Sequence, residues 1–286
     1  MSETPPTVAD LTTAELSRLS PAERRVGRAL LADYPSAGLG SAARLAERAS
    51  VSAPSVLRFA QTLGFDGFAG LQSALRTELS ARSSGPITRL VDAPTAGSTL
   101  ALMAQQGRDQ SDAALASISS LTEASVDAAV ELFADLGRRV LLHGGRFSHL
   151  LATYFGGHLE QLRPGVRLLE DPFGRDLGIT VDLGRRDVLV IFDFHRYQHS
   201  AVELADRARK AGTTTVLVTD DMACPAAPEA EVVLVATSTV NSTYQSMAGG
   251  FLLTELLLPP VMAAIGESAR TRMALWEQHR SGELVP

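Results

Sequence analysis

The stretch from Ala49 to Phe59, ASVSAPSVLRF, has the sequence signals of a tight turn followed by a short helix. Ser52 is a candidate N-cap, whose hydroxyl accepts a hydrogen bond from a backbone N–H of the first helical turn. Pro54 falls in that same turn, where a missing N–H does no harm. The proline therefore marks the start of a helix rather than a break in one.

Helical periodicity divides this predicted helix into two faces. Its apolar face consists of Val56, Phe59, Ala60 and Leu63. Its opposite face carries Pro54, Arg58 and Gln61, with Ser55 on the flank. Gly64 is predicted to end the helix. The helix is thus expected to pack on one side and to present a guanidinium group on the other.

Two earlier helices are predicted beside it. A capping box at Ser20 starts a helix that ends near Pro35. A short helix from Ala42 to Ala49 follows, and only the turn Ser50-Val51-Ser52 separates it from the next helix. Ser50 departs from the glycine that such a turn usually prefers. The spacing predicts a helix-turn-helix whose second helix enters the major groove of DNA.

The residues on the outer face have the chemistry for reading DNA. An exposed arginine can donate two hydrogen bonds to guanine, a glutamine can pair with adenine, and a serine can hold a phosphate. The predicted DNA contacts are Arg44, Ser52, Pro54, Ser55, Arg58 and Gln61. The alternative is a three-helix bundle that contacts proteins, with Arg58 a solvated surface residue.

Charge supports the DNA-binding interpretation weakly. Residues 18–85 contain nine arginines and five acidic residues, in a chain whose formal net charge is −6. A basic block attached to an acidic remainder is typical of a small module that binds a polyanion.

The segment from Ser20 to Leu79 resembles the N-terminal domain of the RpiR-type transcriptional regulators. The likeness includes the V-S-x-x-S-V-x-R-F pattern at residues 51–59 and the L-G-F-x-G-F pattern at residues 63–68. The resemblance implies binding to double-stranded operator DNA. It also implies a C-terminal sugar isomerase (SIS) domain that senses a small effector, typically a phosphosugar.

The remaining sequence alternates apolar runs with helical patterns. Strands are predicted at residues 139–143, 166–170, 187–192, 213–219 and 232–236, with helices between them. This alternation predicts a parallel sheet covered on both faces. The expected fold class is α/β: an all-α helix-turn-helix bundle followed by a five-stranded parallel α/β/α domain of SIS type.

Ligands of such sheets bind beyond the carboxyl ends of the strands, near helix N-termini. The first candidate loop there is HGGRFSHLL, from which Gly144, Gly145, Arg146 and Ser148 are predicted to bind an effector. It resembles the G-x-G-x-S loop of SIS domains, with Arg146 at the second glycine. Arg146 can clamp an anion, or it can fill the pocket and exclude sugar phosphates. A purely structural strand-to-helix turn is the alternative.

The second candidate loop follows the third strand. Phosphosugar-binding SIS domains read S-x-S-G-x-T here, whereas this chain has FDFHRY, and Tyr197 is the one hydroxyl that remains. Asp193, His195, Arg196 and Tyr197 are predicted to bind an anionic effector. A loop at a dimer interface is the alternative. No metal is expected, because the pair His195 and His199 has no evident third ligand.

The third candidate loop, ATSTVNSTYQS, is expected to line the same pocket through Ser238 and Asn241. Hydroxyl-rich runs are often only helix caps. The apolar segment from Met247 to Ile265, interrupted by Glu255 and Pro259-Pro260, is predicted to form core and subunit contact rather than a membrane span.

Bulk properties set the remaining expectations. No window approaches the roughly 18 uncharged apolar residues of a membrane span, and the N-terminus lacks a signal-peptide pattern, so a cytoplasmic protein is expected. Cys224 is the single cysteine, which excludes an internal disulfide. The domains are predicted at residues 1–83 (helix-turn-helix), 84–125 (linker and connecting helix), 126–272 (SIS-type) and 273–286 (tail).

These observations predict a DNA-binding regulator that senses a small anionic carbohydrate derivative and acts as a homodimer or tetramer. No cofactor and no catalytic residue are expected. Two alternatives remain: a ligand-free SIS domain that only dimerises the protein, and a sugar-phosphate isomerase-like enzyme with Glu255 and His143 as candidate acid and base.

Overall fold

The computed structural model describes residues 7–32, 34–83, 98–238, 240 and 242–280. The chain divides into two compact units, residues 1–85 and residues 86–286. The predicted linker begins at residue 84, directly after the helix that ends at Ser83, and its residues 84–97 lie outside the described part of the chain.

The first unit is all-helical, as predicted. Its helices are α1 (Val8–Glu15), α2 (Pro21–Ala32), α3 (Ser36–Leu39), α4 (Ala42–Arg48), α5 (Ala53–Thr62) and α6 (Gly67–Ser83). The short helix α3 was not predicted, because its four residues lack a periodic apolar pattern. The Gln72 side chain on α6 donates to the Leu39 carbonyl at 3.2 Å and so holds the end of α3 in place.

The start of α2 confirms the predicted capping box. The Ser20 N–H donates to the Glu23 carboxylate at 3.0 Å, and the Glu23 N–H donates to the Ser20 hydroxyl at 3.4 Å. These bonds satisfy two of the backbone groups that a helix N-terminus leaves without partners. The Ser20 hydroxyl also lowers the pKa of Glu23.

The turn between α4 and α5 closes as a Schellman motif. The Ser50 N–H donates to the Glu47 carbonyl at 3.0 Å, and the Val51 N–H donates to the Ala46 carbonyl at 2.9 Å. This pattern places Ser50 in the left-handed region, with φ at 52°. The sequence identified this position correctly as one that favours glycine.

The second unit is an α/β fold, as predicted. Its helices are α7 (Thr99–Ser120), α8 (Glu123–Ala134), α9 (His149–Leu162), α10 (Leu177–Val181), α11 (His199–Ala211), α12 (Ala248–Ile265) and α13 (Glu267–Arg280), with a 3-10 turn at Ala227–Glu229. Its strands are β1 (Arg139–Gly144), β2 (Val166–Leu168), β3 (Asp187–Phe192), β4 (Thr214–Thr219) and β5 (Val232–Val235).

All strand pairs are parallel, in the order β2-β1-β3-β4-β5. Apolar side chains fill both faces of the sheet. Because β3 is buried along its whole length, it reads as a continuous apolar run, DVLVIF, rather than an alternating one. Because all the strand pairs are parallel, the carboxyl ends of the five strands lie at the same edge of the sheet.

The ends of the second unit differ from the predicted boundaries. Helix α7, predicted as a connecting helix, packs within this unit, since the Thr237 N–H donates to the buried Ser117 hydroxyl on α7 at 2.8 Å. Residues 273–280, predicted as a tail, belong to helix α13. Met273 on α13 packs against the core of the sheet.

A buried arginine joins α8 to the sheet. The Arg163 side chain is completely buried and donates to the carbonyls of Phe133 at 2.7 Å and Asp135 at 2.9 Å. These carbonyls belong to the end of α8, where intrahelical donors run out. Burial lowers the pKa of Arg163. The sequence carries no signal for this contact, because the partners are backbone atoms about 30 residues away.

Helix α12 is long and apolar enough to cross a membrane by length and composition. The expectation that no window reaches this composition is therefore wrong, since a single glutamate in 18 residues does not disqualify the segment. Leu253, Leu257 and Val261 of α12 lie in the core of the second unit. The helix continues through Pro259 and Pro260, which interrupt the apolar composition of the segment but not its helical backbone.

Replacing Ser50 by Gly is expected to stabilise the first unit by about 0.5–1 kcal/mol, because a left-handed backbone costs an L-residue energy that glycine does not pay. Ser50 is exposed, so little packing is lost. Slower amide hydrogen exchange in α4 and α5 of the full chain would verify the gain. The control Ser50→Val should exchange faster than wild type, and equal protection in all three proteins would contradict the account.

Candidate functional site

Helix α5 of the first unit has the two predicted faces. Val56, Phe59, Ala60 and Leu63 are buried. Pro54, Arg58 and Gln61 are exposed. The exposed surface also includes Leu57, which is 43% exposed and which the sequence argument did not single out. Arg44, on α4, is exposed as well. The outer face of α5 therefore combines a cation, an amide and an apolar side chain.

Two serines at the start of α5 differ from expectation. Ser52 occupies the N-cap position, but its side chain makes no capping hydrogen bond. Ser55 is only 4% exposed, so it does not face outward to hold a phosphate as predicted. Its hydroxyl instead accepts a hydrogen bond from Nη2 of Arg58 at 3.2 Å. Ser55 thus supports Arg58 from inside the bundle, whereas Ser52 is exposed and its predicted DNA contact stays a prediction.

The second unit contains a cleft of about 580 Å³ at the carboxyl edge of the sheet. The order of the strands reverses between β1 and β3, and such a reversal is where open α/β sheets bind ligands. We call this space the switch-point cleft. Its lining residues are His143, Gly144, Gly145, Arg146, His149, Glu170, Asp171, Pro172, Phe173, Gln198 and Ser200.

The glycines of the first loop make this cleft possible by close backbone approach. A Cβ on Gly144 would lie 2.6 Å from the backbone nitrogen of His149, and one on Gly145 would lie 1.8 Å from the Gln198 side chain. The loop therefore folds tightly against its own helix and against the loop after β3. Gly144 and Gly145 line the cleft, and their contact with an effector stays a prediction.

Ser148 has a structural role that the sequence argument did not foresee. Its buried hydroxyl donates to the Phe192 carbonyl at 2.6 Å and accepts from the Gly145 N–H at 2.8 Å. These bonds tie the loop after β1 to the end of β3. The prediction that Ser148 contacts an effector is therefore not supported, because its hydroxyl is already occupied.

Arg146 is the cation of the cleft. It is exposed, and its guanidinium lies 5.1 Å from the centre of the Phe147 ring. Helix α9 begins at His149 and helix α11 begins at His199, and residues at both starts line the cleft. Helix N-termini and an arginine both favour a negatively charged group, so this side of the cleft suits an anion.

Two acidic residues of the cleft lining were not predicted. Glu170 and Asp171 follow β2, and they line the cleft together with Phe173. Nδ1 of His143 lies 2.9 Å from the Leu169 carbonyl, which can only accept, so Nδ1 carries the proton. Burial lowers the pKa of His143, so its ring is neutral near pH 7. Arg175 pairs with the Glu170 carboxylate, and its backbone N–H donates to Asp171 at 3.1 Å, so only the remaining lone pairs of these carboxylates can accept from a ligand.

Four other predicted effector residues lie away from the cleft. The His195 N–H donates to Asp220 at 3.2 Å, the Tyr197 hydroxyl donates to it at 3.0 Å, and the Ser238 hydroxyl donates to it at 2.5 Å. Arg196 is exposed with φ at 68° and does not line the cleft. We call Asp220 and its three donor residues the Asp220 cluster. Asn241 lies outside the described residues.

Asp220 is a key residue that the sequence argument missed. It follows β4 directly, so the signal was the same strand-end position that identified the other loops. Burial, followed by the charge of Asp220, raises the pKa of Tyr197. The cluster consequently joins the loops after β3 and β5 to the end of β4.

Asp193 lies next to this cluster and is 2% exposed. It accepts from the Gln198 N–H at 3.3 Å, and Cys224 Sγ lies 3.8 Å from its other oxygen. Burial, and to a lesser extent the charge of Asp220, raises the pKa of Asp193 to about 7. Burial also raises the pKa of Cys224 to about 12, so this thiol stays protonated. Asp193 does not line the cleft, but it accepts from the N–H of Gln198, which does.

No group of three or more His, Cys, Asp or Glu side chains that could hold a metal ion occurs in the described part of the chain. The histidine pair noted in the sequence therefore has no metal partner among these residues.

Comparison with known proteins gives a sequence family for the first unit. Residues 8–82 match the family model described as the helix-turn-helix domain of the rpiR family. No curated protein matches the sequence.

The solved structures that match share the fold of the second unit. The sugar isomerase domain of an RpiR transcription factor from Sphaerobacter thermophilus is 22% identical, with 62% of this chain and 98% of that chain covered and a TM-score of 0.57. The Vibrio vulnificus NanR protein in complex with ManNAc-6P is 15% identical over 97% of this chain and 99% of that chain, with a TM-score of 0.57. An Escherichia coli CFT073 protein in complex with A5P is 10% identical over 62% and 96%, with a TM-score of 0.52.

The buried carboxyl of Asp193 predicts a pH dependence of stability. Its pKa is higher in the folded protein than in the unfolded chain. Its contribution to the free energy of unfolding is therefore full below about pH 4 and is lost as the pH rises through about 7. Asp193→Asn should therefore be more stable relative to wild type at pH 8 than at pH 5, by about 2–4 kcal/mol. Urea unfolding at both pH values tests this.

Asp206→Asn is the control for that experiment. A hydrogen bond and salt bridge from Lys210, with further help from Arg209, lower the pKa of the half-buried Asp206, so any change there has the opposite sign. A stability difference between Asp193→Asn and wild type that is the same at pH 5 and pH 8 would rule out an ionisable Asp193.

Proposed function

We propose that this chain is a DNA-binding transcriptional regulator of the RpiR type whose second unit binds a small anionic carbohydrate-derived metabolite. The proposal is supported by the match of residues 8–82 to the helix-turn-helix domain of the rpiR family and by the sugar isomerase fold of the second unit. The observation that carries the DNA-binding part is the recognition helix α5. Its apolar face is buried in the bundle, and its outer face presents Arg58 and Gln61. Both side chains have hydrogen-bonding groups that match purine edges in the major groove.

The effector part of the proposal rests on the switch-point cleft. Arg146 and two helix N-termini favour an anionic group, and the remaining lone pairs of Glu170 and Asp171 can accept hydrogen bonds. The complexes with ManNAc-6P and A5P belong to other proteins of this fold. The hydroxyl-rich S-x-S-G-x-T loop is replaced here by FDFHRY, so a sugar acid fits the cleft chemistry as well as a sugar phosphate does.

Binding without turnover is the simpler reading of the second unit. Of the candidate acid and base, His143 lines the cleft, whereas Glu255 does not line it and accepts from the Tyr154 hydroxyl at 2.8 Å. A regulator needs only that the effector bind two states of the protein unequally, so that their populations shift. We therefore propose a sensor rather than an isomerase.

We further propose a cytoplasmic homodimer or homotetramer. One helix-turn-helix reads one half-site, so two copies are needed for an operator with half-sites about one helical turn apart. The outer side of α12 is suited to contact a second copy, because Leu256 is 47% exposed there and Pro259 and Pro260 are exposed beside it. This assignment would account for the apolar character of a helix that the core covers only partly.

Arg58→Ala should relax operator specificity at one base position by about 1–3 kcal/mol, because a bidentate arginine–guanine contact is lost. Binding to single-base variants of a duplex selected from a random pool measures this effect. Arg18→Ala is the control, since Arg18 is an exposed arginine of the same unit paired with Glu15. Unchanged discrimination in Arg58→Ala would remove Arg58 from base reading.

A thermal-shift screen against sugar phosphates and sugar acids tests the sensor. A compound that stabilises the wild type should bind Arg146→Ala about tenfold or more weakly, because a charge-assisted hydrogen bond is lost. Affinity for DNA without effector should not change. Arg167→Ala is the control, since this exposed arginine lies outside the cleft. A normal shift in Arg146→Ala would make Arg146 structural.

The same screen distinguishes a sensor from the alternative in which the second unit binds no ligand and only dimerises the protein. If no anion stabilises the wild type while the protein still binds a selected duplex, the second unit serves only to bring copies together.

A further inference from the structure

The first turn of α5 leaves its N-cap hydroxyl without the usual partner. An N-cap side chain normally accepts from the N–H of the second or third helical residue. Here the second residue is Pro54, which has no N–H, and the N–H of the third, Ser55, donates to the Ser52 carbonyl at 2.9 Å. The Ser52 hydroxyl is therefore available for a side-chain contact.

That contact is made with Ser55. The two serine hydroxyl oxygens are 3.1 Å apart, and Nη2 of Arg58 lies 3.2 Å from the Ser55 oxygen. A guanidinium group has only donors, so the Ser55 oxygen accepts from Arg58. The Ser55 proton is then free to be donated to Ser52. Hydrogen bonds in such a chain polarise one another, which makes Ser55 a better acceptor for the cation.

The hydrogen bonds that link Ser52, Ser55 and Arg58 can restrain the Arg58 side chain. Ser55 is buried and lies on a regular helix, so its hydroxyl has a defined position, whereas Arg58 is exposed and has many rotamers. Bidentate recognition of guanine requires the planar fork of the arginine to be correctly oriented. A side chain that is already restrained loses less conformational entropy when it binds.

We propose that Ser55, supported by Ser52, is a positioning residue that holds the Arg58 guanidinium in the orientation that reads a base. The inference rests on the proposed DNA-binding function and adds a determinant of specificity to it. Ser55 does not touch DNA in this account. It acts only through Arg58, and this dependence is what an experiment can detect.

The test is a double-mutant cycle in the full chain with Ser55→Ala, Arg58→Ala and the double variant. A duplex is first selected from a random pool with the wild type, and its single-base variants are then used to measure discrimination. Thr12→Val is the matched control. It removes another buried hydroxyl of the same unit, which donates to the Val8 carbonyl at 2.7 Å, and it keeps nearly the same side-chain volume.

Ser55→Ala should reduce discrimination at the base position that Arg58→Ala affects, by about three- to tenfold, which is the range for one hydrogen bond. Affinity for unrelated duplexes and its salt dependence should stay as in wild type, because phosphate contacts determine them. In the Arg58→Ala background the serine substitution should have no further effect on discrimination. A merely structural role would weaken binding to all duplexes alike.

Two results would overturn the proposal alone. They are unchanged discrimination in Ser55→Ala, and an effect of Ser55→Ala that persists fully when Arg58 is absent. A third result, a wild-type protein that binds no duplex at low salt, would overturn the regulator function as well, so the two failures are distinguishable. Circular dichroism of each variant, with Ser55→Thr as the conservative substitution that keeps the hydroxyl, separates loss of fold from loss of positioning.

Discussion

The carboxylate of Asp220 is the contact on which the shape of the loops at the carboxyl edge of the sheet depends. Asp220 is half-buried, so its carboxylate loses part of its hydration, and it obtains hydrogen bonds in exchange from His195, Tyr197 and Ser238. These donors come from the loops after β3 and β5, so one side chain at the end of β4 determines the course of both. The loop after β3 can then place Gln198 against Gly145, where the switch-point cleft begins.

A similar constraint operates in the first unit on a smaller scale. Pro54 removes a backbone donor at the start of α5, and the Ser55 N–H is satisfied by a carbonyl, so the hydroxyl of Ser52 turns to another side chain. Ser52 thus departs from the usual capping pattern because the N–H that it would normally accept from already donates to a carbonyl. Such departures are expected where a fold supports a functional surface.

The sequence predicted elements whose signals are local. The β3 run, the α9 and α11 helices, the apolar face of α5 and the special position of Ser50 follow from periodicity and turn chemistry, and the structure confirms them. Contacts between residues that are distant in sequence could not be predicted from periodicity and turn chemistry. The sequence placed Ser148, Tyr197 and Ser238 at the correct edge of the sheet because strand ends are local features. It did not reveal that their hydroxyls already have partners, since Phe192 and Asp220 come close only in the folded chain.

The division of these loops into a cleft and a supporting cluster bears on what the protein recognises. If the hydroxyls of Tyr197 and Ser238 are committed to Asp220, the cleft has few side-chain hydroxyls with which to hold a phosphate, and Arg146 with the two helix N-termini must supply the anion contacts. A guanidinium fork matches a carboxylate as well as it matches a phosphate. Glu170 and Asp171, which line the same cleft, favour a ligand that also donates hydrogen bonds, as hydroxyl and amino groups do. Selectivity among carbohydrate-derived anions would then arise from these acidic residues rather than from the anion itself.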